Sequence, residues 1–465
     1  MEELNVDFVV IGTGPAGQKA AIQAAKLGKK VAIIEKDTVP GGACLNSGTI
    51  PSKSLREAVV DLTEFNQRSF YGKSYQLPKV SISDLNYRLT RVLEEERDLI
   101  SRQFKRNNII LIYGTAQFTG PHSISVTNAN GETSHLIQTD RVLIATGSIP
   151  RNPLEVPFDE DVILDSTRLL SIDKLPKTMI VLGGGIVGSE YASYFAALGV
   201  KVTVVDKKDH ILSFIDWEIG IHLQTALVDI GLQFVGNKEP EKIEKLIDRA
   251  RVTFKDGSFL EADVLLYALG RVANVAALNI EKAGLSLDKT GHMPVNPFFQ
   301  TPVSHIYAAG DVVGNPALAS TSMEQGRRAA CHAFGAHTQP FPDFFPIGIY
   351  TIPEISSCGY NEEELQKMGF HYQVGRAYYY EIARSHINGL QTGMFKILFH
   401  SETLEVLGVH IIGSGATEVI HIGQVAMSFN ARLDYFIYQV FNYPTYAEGY
   451  RIAALNGLNK VKSNF

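Results

Sequence analysis

Two glycine-rich segments of this sequence have the spacing that binds dinucleotide phosphates. The first contains Gly12, Gly14 and Gly17, and the second contains Gly183, Gly185 and Gly188. In such a segment the first glycine makes a tight strand-to-helix turn, the second lets the backbone approach a pyrophosphate, and the third lets helix and strand pack closely. The N–H groups at the start of the following helix then bind the phosphates. Either segment alone is weak evidence, because glycine-rich turns are common.

An acidic residue follows each glycine segment at the same distance. Glu35 lies 35 − 17 = 18 residues after Gly17, and Asp206 lies 206 − 188 = 18 residues after Gly188. Each acid ends an apolar run that predicts a second strand, and a carboxylate at that point accepts hydrogen bonds from ribose hydroxyls. The repeat therefore covers two whole strand–helix–strand motifs, and it predicts two bound dinucleotides.

The elements around these motifs predict α/β domains with mainly parallel sheets, because short apolar runs alternate with helical segments. The predicted strands cover residues 7–11, 30–34, 179–182 and 200–205, and the two motif helices run to about 28 and about 198. Beyond about residue 340 the aromatic content rises, and residues 393–399 alternate as in an antiparallel strand. We therefore expect two Rossmann-like domains followed by an α+β terminal domain.

The composition excludes several other classes of protein. The 465 residues are 45% hydrophobic and 20% charged, and their 43 basic and 49 acidic residues form no basic block that would predict nucleic-acid binding. Because the first residues are acidic, we expect no signal peptide. Because no apolar stretch reaches about 18 residues, we expect no membrane span. Three scattered cysteines do not form a disulfide framework, so we expect a reducing, cytoplasmic location.

No metal site is predicted from the histidines and cysteines. The sequence has no C-x-x-C or H-x-x-x-H pattern. His410 and His421 lie in apolar segments, where a histidine is typically part of the core. We expect both to be core residues.

Three further segments carry a resemblance to a known family. They are residues 41–53 (GGACLNSGTIPSK), 144–148 (IATGS) and 306–311 (IYAAGD). Together with the glycine segments, and in this order, they resemble the pyridine nucleotide–disulfide oxidoreductase family over the whole chain. The resemblance implies FAD on the first motif, NAD(P) on the second and a homodimer, with larger homo-oligomers left open.

The resemblance also implies a domain division and two sets of binding residues. Residues 1–150 and 275–340 would form the FAD domain, 151–274 the NAD(P) domain and 341–465 the dimer interface. The expected FAD site comprises Gly12, Gly14, Gly17, Glu35, Lys36, Gly41, Gly42, Cys44, Thr49, Lys53, Ala116, Thr146, Gly147, Asp311 and Ala319. The expected NAD(P) site comprises Gly183, Gly185, Ile186, Val187, Gly188, Glu190, Asp206, Lys207 and Gly270.

The sequence departs from the family pattern where the family carries a redox-active dithiol. The family has C-x-x-x-x-C beside the flavin, but here Cys44 is followed at that spacing by Thr49. The family's C-terminal His-Pro-x-x-x-Glu becomes Tyr443-Pro444 with Glu448. A threonine hydroxyl cannot form a disulfide, and a phenol of pKa about 10 is a poor base at neutral pH. Electrons therefore cannot leave the flavin through a protein disulfide.

What remains is hydride transfer between nicotinamide nucleotides through the flavin. Residues 48–53, 442–445 and 347–358 resemble the soluble pyridine nucleotide transhydrogenase branch of the family, in which the dithiol is absent. The resemblance implies an enzyme of the Si-specific type that transfers hydride between NADPH and NAD⁺ in either direction. It also implies that Lys53 and Glu190 form an ion pair near flavin N5 and are the catalytic residues.

The choice of nucleotide stays open in the sequence. Asp206 favours NAD(H), because it would repel the 2′-phosphate of NADP(H), whereas Lys207 and Lys208 could offset that repulsion. Two other functions also remain open: a diaphorase that reduces a quinone, a metal ion or dioxygen, and a non-catalytic nucleotide-sensing protein.

Overall fold

A computed structural model describes the main chain of residues 1–67 and 82–461, and the side chains of residues 1–63 and 87–461. Its contacts divide the chain into two compact units. The first compact unit contains Met1–Ser54, Asn86–Arg151 and Gly270–Phe341. The second contains Leu55–Leu85, Asn152–Leu269 and Pro342–Phe465.

The strands, numbered along the chain, are β1 Glu2–Ile11, β2 Val31–Glu35, β3 Ile110–Tyr113, β4 Thr115–Gly120, β5 Ser123–Thr127, β6 Thr133–Ile144, β7 Ser148–Pro150, β8 Ile163–Leu164, β9 Thr178–Leu182, β10 Lys201–Val205, β11 Gln233–Val235, β12 Pro240–Lys245, β13 Ala250–Phe254, β14 Phe259–Ala262, β15 Val264–Tyr267, β16 Arg271–Ala273, β17 Ile306–Ala308, β18 Ile347–Ile349, β19 Ile355–Gly359, β20 Tyr372–Tyr378, β21 Met394–His400 and β22 Val406–Ile412.

The α-helices are α1 Pro15–Lys26, α2 Gly42–Asn46, α3 Thr49–Gln67, α4 Ile82–Arg106, α5 Ile186–Ala197, α6 Trp217–Asp229, α7 Ala319–Ala333, α8 Glu362–Met368, α9 Ala383–Asn388, α10 Ala416–Ser428, α11 Asp434–Tyr438 and α12 Glu448–Leu458. No helix in the described part of the chain is both long and apolar enough to cross a membrane.

The main sheet of the first compact unit has the order β3-β2-β1-β6-β5-β4, with β17 paired to β6. Strands β3, β2, β1, β6 and β17 are parallel, whereas β4 and β5 form an antiparallel extension. The side chains of β2 are buried throughout, as expected for a parallel strand covered on both faces. The first glycine motif follows β1, which lies between β2 and β6 in the centre of this sheet.

The second compact unit contains a parallel sheet and two antiparallel sheets. The parallel sheet has the order β11-β10-β9-β15-β8, and the second glycine motif starts from its central strand, β9. A small antiparallel sheet is formed by β12, β13 and β14, and a larger one has the order β18-β19-β22-β21-β20. The predicted fold class, two Rossmann-like domains followed by an α+β domain, is confirmed.

The predicted elements of both motifs are present with ends shifted by at most two residues, except that the strand predicted at 7–11 begins at Glu2. The strands predicted at 30–34 and 200–205 form as Val31–Glu35 and Lys201–Val205, and the motif helices end at Lys26 and Ala197. The four-segment domain division stays a prediction.

One expectation about the histidines is wrong. His410 is buried as expected, but His421 lies on the exposed side of α10, where its Nδ1 is 2.8 Å from Gln424 Oε1. The buried residues of this helix recur at Ala416, Ile420 and Gly423, a helical spacing that places His421 on the solvent side. The apolar neighbours of His421 in the sequence are therefore not its neighbours in space.

Candidate dinucleotide sites

The first glycine motif forms a tight turn between β1 and α1. Gly12 has φ +106°, and a Cβ at this position would lie 2.4 Å from the carbonyl oxygen of Ala145. A Cβ at Gly17 would lie 1.9 Å from the Gly12 oxygen. In contrast, a Cβ at Gly14, the N-cap of α1, would meet nothing within 4 Å. Two glycines are thus required by the fold, whereas the open space at Gly14 is available for a ligand.

Glu35 is fixed at the end of β2 by the motif itself. Its carboxylate accepts hydrogen bonds from the Thr13 N–H at 3.2 Å, from the Thr13 hydroxyl, and from the Asp37 N–H at 3.1 Å. The residue is only 4% exposed, whereas Lys36 next to it is exposed. The acid predicted to bind ribose is therefore present with a defined orientation beside the glycine turn.

A second glycine pair packs against the first motif. Gly41 has φ +121° and donates its N–H to the Thr13 hydroxyl at 2.8 Å. Gly42 opens α2, and a Cβ at this position would lie 2.9 Å from Gly14 Cα. The segment that follows β2 thus closes over the glycine turn, and this close approach requires the predicted Gly41 and Gly42.

The position of the missing dithiol is occupied by a thiol and a hydroxyl. The side chains of Cys44 on α2 and Thr49 at the start of α3 are hydrogen-bonded to each other, with the charged groups of Lys53 and Asp311 nearby. Burial raises the pKa of the Cys44 thiol, and the Asp311 carboxylate acts in the same direction. A thiol with a raised pKa and a hydroxyl partner is a poor nucleophile and cannot form an internal disulfide.

The predicted residues after β6 and β17 lie together in the first compact unit. Ser148 donates its hydroxyl to Asp311 at 2.7 Å, and Arg271 donates from Nε to the same hydroxyl at 2.8 Å. Gln325 on α7 accepts the Gly310 N–H at 2.8 Å. These bonds fix the orientation of the Asp311 carboxylate, which the family resemblance assigns to FAD.

The remaining predicted FAD residues occupy different environments. Thr146 and Gly147 follow β6, and the buried Thr146 Oγ1 has no hydrogen-bond partner among the described residues. Ala319 opens α7. The side chain of Ala116 packs in an apolar core, so any contact it makes with a ligand would have to come from its main chain.

The second glycine motif repeats the steric pattern of the first. Gly183 has φ +107°, and a Cβ there would lie 2.7 Å from the carbonyl oxygen of Ala268. A Cβ at Gly188 would lie 1.8 Å from the Gly183 oxygen. A Cβ at Gly185, the N-cap of α5, would meet nothing within 4 Å. The half-buried Ile186 and Val187 form the first turn of that helix, beside the open position.

Asp206 is oriented by main-chain donors. Its Oδ2 accepts the Gly184 N–H at 2.5 Å, and its Oδ1 accepts the Lys208 N–H at 2.8 Å. Lys207 and Lys208 are both exposed, and Asp206 itself is half-buried. If the Asp206 carboxylate turned away to make room for the 2′-phosphate of NADP(H), it would therefore break two hydrogen bonds. Gly270, the last predicted NAD(P) residue, belongs to the first compact unit, and its role stays a prediction.

Glu190 is buried on α5, two residues after the last glycine of the motif, with 3% exposure. Its Oε1 accepts the Tyr350 N–H at 2.9 Å, and its main-chain oxygen accepts the hydroxyl of Ser193 at 2.7 Å. Lys53 lies in α3 and is half-buried, with its ammonium 3.4 Å from the Ser52 hydroxyl. Both residues predicted to be catalytic thus have defined local environments.

The residues present fit dinucleotide cofactors in both motifs. Each N-cap glycine leaves room beside free helix N–H groups, which bind phosphate. Each acid is oriented at the end of its strand, and the unpartnered Thr146 hydroxyl is available to a ligand. No group of histidine, cysteine or acidic side chains that could bind a metal ion occurs within the described residues.

The C-terminal segment carries Tyr443 where the family has a histidine. Tyr443 is 72% exposed, and Glu448 begins α12 with a buried Oε2 that has no hydrogen-bond partner in the described structure. Residues between these two positions, among them Pro444 and Tyr446, line an open depression of about 690 Å³ together with Phe441.

Sequence analysis missed the residues that orient the predicted ones. Thr13 orients Glu35, Ser148 and Arg271 orient Asp311, and Ser193 contacts Glu190. Thr13 and Ser148 had a signal in the sequence, because they lie within the glycine motif and within the segment 144–148. Arg271 and Ser193 carried no such signal.

Comparison with known proteins points to a family that binds pyridine nucleotides, in agreement with the dinucleotide motifs. The family model described as pyridine nucleotide-disulphide oxidoreductase matches residues 6–326, and the model of its dimerisation domain matches residues 345–454. A soluble pyridine nucleotide transhydrogenase of Mycobacterium bovis is 46% identical over 458 residues, 98% of each chain. A protein of the same name from Yersinia pestis is 42% identical over 464 residues, 99% of each chain.

Solved structures give the same assignment. LpdA from Mycobacterium tuberculosis has a TM-score of 0.89 and 28% identity, with 97% of this chain and 99% of that one covered. The HOCl-induced flavoprotein disulfide reductase RclA from Escherichia coli has a TM-score of 0.87 and 26% identity at the same coverage. The chain belongs to the pyridine nucleotide–disulphide oxidoreductase family.

Proposed function

We propose that this chain is an FAD-dependent NAD(P)⁺ transhydrogenase that transfers hydride between NADPH and NAD⁺ without a redox-active disulfide. The observation that carries the proposal is the presence in one chain of two complete dinucleotide motifs and of a Cys44–Thr49 pair that cannot carry electrons. The names of the Mycobacterium and Yersinia relatives, which cover nearly the whole chain, support it. They do not favour the alternative of a quinone-reducing diaphorase.

The two motifs would have different ligands. The first would bind FAD through Gly12, Gly14, Gly17 and Glu35, with Asp311 and Thr146 contributing from the other strands of the same sheet. The second would bind NAD(H) or NADP(H) through Gly183, Gly185, Gly188 and Asp206. When bound, FAD supplies a ring that accepts and returns a hydride. The net reaction moves one hydride from NADPH to NAD⁺ and consumes no proton.

In this proposal Glu190 and Lys53 orient the nicotinamide and the reactive edge of the flavin. A carboxylate fixed by the Tyr350 N–H can accept a hydrogen bond from the nicotinamide side without changing its position. An ammonium group stabilises negative charge that develops beside it. Neither residue has to transfer a proton, since the overall reaction requires none.

The structure sharpens the nucleotide preference. Because two N–H groups orient the Asp206 carboxylate, we propose that it stays in place when NADP(H) binds. A neighbouring cation, Lys207 or Lys208, would then neutralise the 2′-phosphate, and both are exposed beside the acid. We expect NADP(H) to be used, with NAD(H) bound at least as well.

The assembly and its location are also proposals. The match to the dimerisation-domain model supports a homodimer. Larger homo-oligomers, hydride transfer of the Si-specific type and a cytoplasmic location remain expectations that follow from the resemblance and the cysteine usage.

The decisive experiment is NADPH-driven reduction of thio-NAD by the purified yellow protein. Turnover should follow ping-pong kinetics, because both nucleotides would use the second motif in turn. A quinone, oxidised glutathione and lipoamide serve as parallel acceptors, and the last two should not be reduced. Fast quinone reduction without thio-NAD reduction would contradict the proposal, as would the failure of millimolar NADPH to reduce the flavin in stopped flow.

A further inference from the structure

A buried arginine in the second compact unit has no place in the chemistry described so far. Arg56 lies on α3, and its side chain is only 10% exposed. Its Nε donates to the Thr351 carbonyl at 3.2 Å, and its Nη2 lies 3.5 Å from Glu354 Oε2. Its Nη1 donates to Glu57 at 2.6 Å, on the exposed side. The guanidinium on α3 therefore makes two contacts with the loop that contains Thr351 and Glu354.

The partner carboxylate is itself buried. Glu354 is 5% exposed, and burial raises the pKa of its carboxyl, against the charge of Arg56 and a hydrogen bond from Thr417. The Thr417 hydroxyl donates to Glu354 Oε2 at 3.2 Å. A buried carboxylate that loses its cation is strongly unfavourable. Arg56 and Glu354 thus depend on each other to fix the loop between β18 and β19.

This loop also contacts Glu190. The Tyr350 N–H donates to Glu190 Oε1 at 2.9 Å, and the Ile352 N–H donates to the Ser193 hydroxyl at 3.2 Å. The carbonyl that Arg56 binds belongs to Thr351, between these two donors, and that residue is fully buried. The segment that Arg56 fixes from one side is therefore the segment that positions the Glu190 carboxylate from the other.

We propose that Arg56 is a positioning residue for the hydride-transfer reaction, acting on Glu190 through the main chain of Tyr350–Ile352. The inference rests on the role proposed above for Glu190. A displacement of about 1 Å in a group that orients a reactant can cost about 100-fold in rate. The planar guanidinium donates to the Thr351 carbonyl and contacts the Glu354 carboxylate at the same time. The single ammonium group of a lysine cannot meet both groups with the same geometry.

The test compares flavin reduction by NADH and by NADPH in stopped flow for five forms of the FAD-loaded protein: wild type, Arg56→Met, Arg56→Lys, Glu190→Gln and the double variant Arg56→Met/Glu190→Gln. Glu57→Gln is the matched control, because it removes the charge of the exposed partner of Arg56 and does not change the residues of the loop. FAD content and thermal unfolding are measured for each form.

We expect Arg56→Met to slow flavin reduction about 10- to 100-fold with both nucleotides. We expect Arg56→Lys to recover part of that loss, and Glu57→Gln to react like wild type. The double variant should be no more than about 2-fold slower than Glu190→Gln, because a residue that acts through Glu190 has little left to affect once the carboxylate is gone. If Arg56→Met does not fold, Arg56→Lys and its double with Glu190→Gln carry the same comparison.

Two results would overturn the inference in distinguishable ways. A wild-type rate for Glu190→Gln would remove the proposed role of Glu190, and the inference with it. If Glu190→Gln slowed flavin reduction but Arg56→Met did not, the role of Glu190 would stand and the link to Arg56 would be refuted. The same conclusion would follow if both single variants were slow and the double variant lost the product of their two rate reductions.

Discussion

The two glycine motifs share a backbone design but differ at the end that recognises the ligand. In both, the first and third glycines are required by contacts with the chain itself, and the second leaves open space. Around the first motif, Gly41 and Gly42 pack onto the turn, and Glu35 is buried behind Thr13. Around the second, Asp206 is half-buried and is followed by exposed lysines.

This difference matches the different duties proposed for the two motifs. A cofactor that stays bound benefits from a segment that packs over its phosphates, whereas a substrate that must leave in every turnover needs an open site. The same strand–helix–strand motif can therefore serve a resident flavin or an exchanging nucleotide. We therefore expect the segment after the second strand, rather than the glycines, to decide which of the two ligands binds.

The largest expected effect comes from exchanging the third glycine of each motif. Gly17→Ala should abolish FAD binding and yield colourless or insoluble protein, because its Cβ would lie 1.9 Å from the Gly12 oxygen. Gly188→Ala should keep the yellow flavin but lose flavin reduction by NADH at least about 100-fold, a transition-state cost of about 2.7 kcal/mol. Visible absorption of the purified proteins and stopped-flow reduction provide the two measurements.

The second glycines provide the control for this experiment. Gly14→Ala and Gly185→Ala meet no atoms of the chain, so both variants should fold normally and lose only their ligand. If Gly14→Ala lost NADH reactivity while keeping FAD, or Gly185→Ala lost FAD, the assignment of the two motifs would be reversed.

The next effect concerns the buried ion pair that connects α6 to β21 within the second compact unit. Asp216 caps α6, and its carboxylate lies 2.7 Å from the ammonium of Lys396 on β21, where Glu218 and Glu362 also contact it. Lys396→Met would leave the buried Asp216 carboxylate without its cation, whereas Glu218 and Glu362 would keep Arg376, so we expect a loss of about 3–5 kcal/mol in the free energy of unfolding. Urea unfolding measures it. The exposed Lys242→Met serves as the control, and equal losses in both variants would refute the anchoring role.

A smaller effect is expected on nucleotide choice. Asp206→Asn should raise the NADPH/NADH ratio of kcat/KM about 10-fold, equivalent to about 1.4 kcal/mol, because it removes the charge that repels the 2′-phosphate. Lys208→Ala should lower the ratio. The first motif offers the comparison: Glu35→Gln should change FAD content but not the ratio. An unchanged ratio in both second-motif variants would mean that the acid and the lysine do not select the nucleotide.

The smallest effect is a pH dependence of stability. Burial alone would raise the pKa of Glu218, but Arg376 and Lys396 outweigh it and lower that pKa from 4.5 to about 2. The stability that this carboxylate contributes is present above about pH 4.5 and is lost as the pH falls toward 2. Because the group is partly exposed, we expect Glu218→Gln to lower stability by only about 1 kcal/mol at pH 7.

Thermal unfolding of wild type and Glu218→Gln across this range checks the sign. The difference between their Tm values should narrow on acidification below pH 4.5. A difference that stayed constant from pH 7 to pH 3 would show that the carboxylate does not titrate as described.

The sequence by itself determined the fold class, the positions of both motifs and the loss of the dithiol. These features depend on local chemistry: glycine spacing, an acid at the end of a strand and a threonine in place of a cysteine can each be identified within a short segment. The strands and helices of both motifs formed within a few residues of the prediction for the same reason.

Only the tertiary structure decided how these residues are oriented. Arg56 and Thr351 are 295 residues apart, and the Tyr350 N–H that contacts Glu190 is separated from it by 160 residues. No local pattern encodes such contacts, because they depend on packing between distant elements. The error at His421 has the same origin, since the face of a helix that meets the core is set by its neighbours in space.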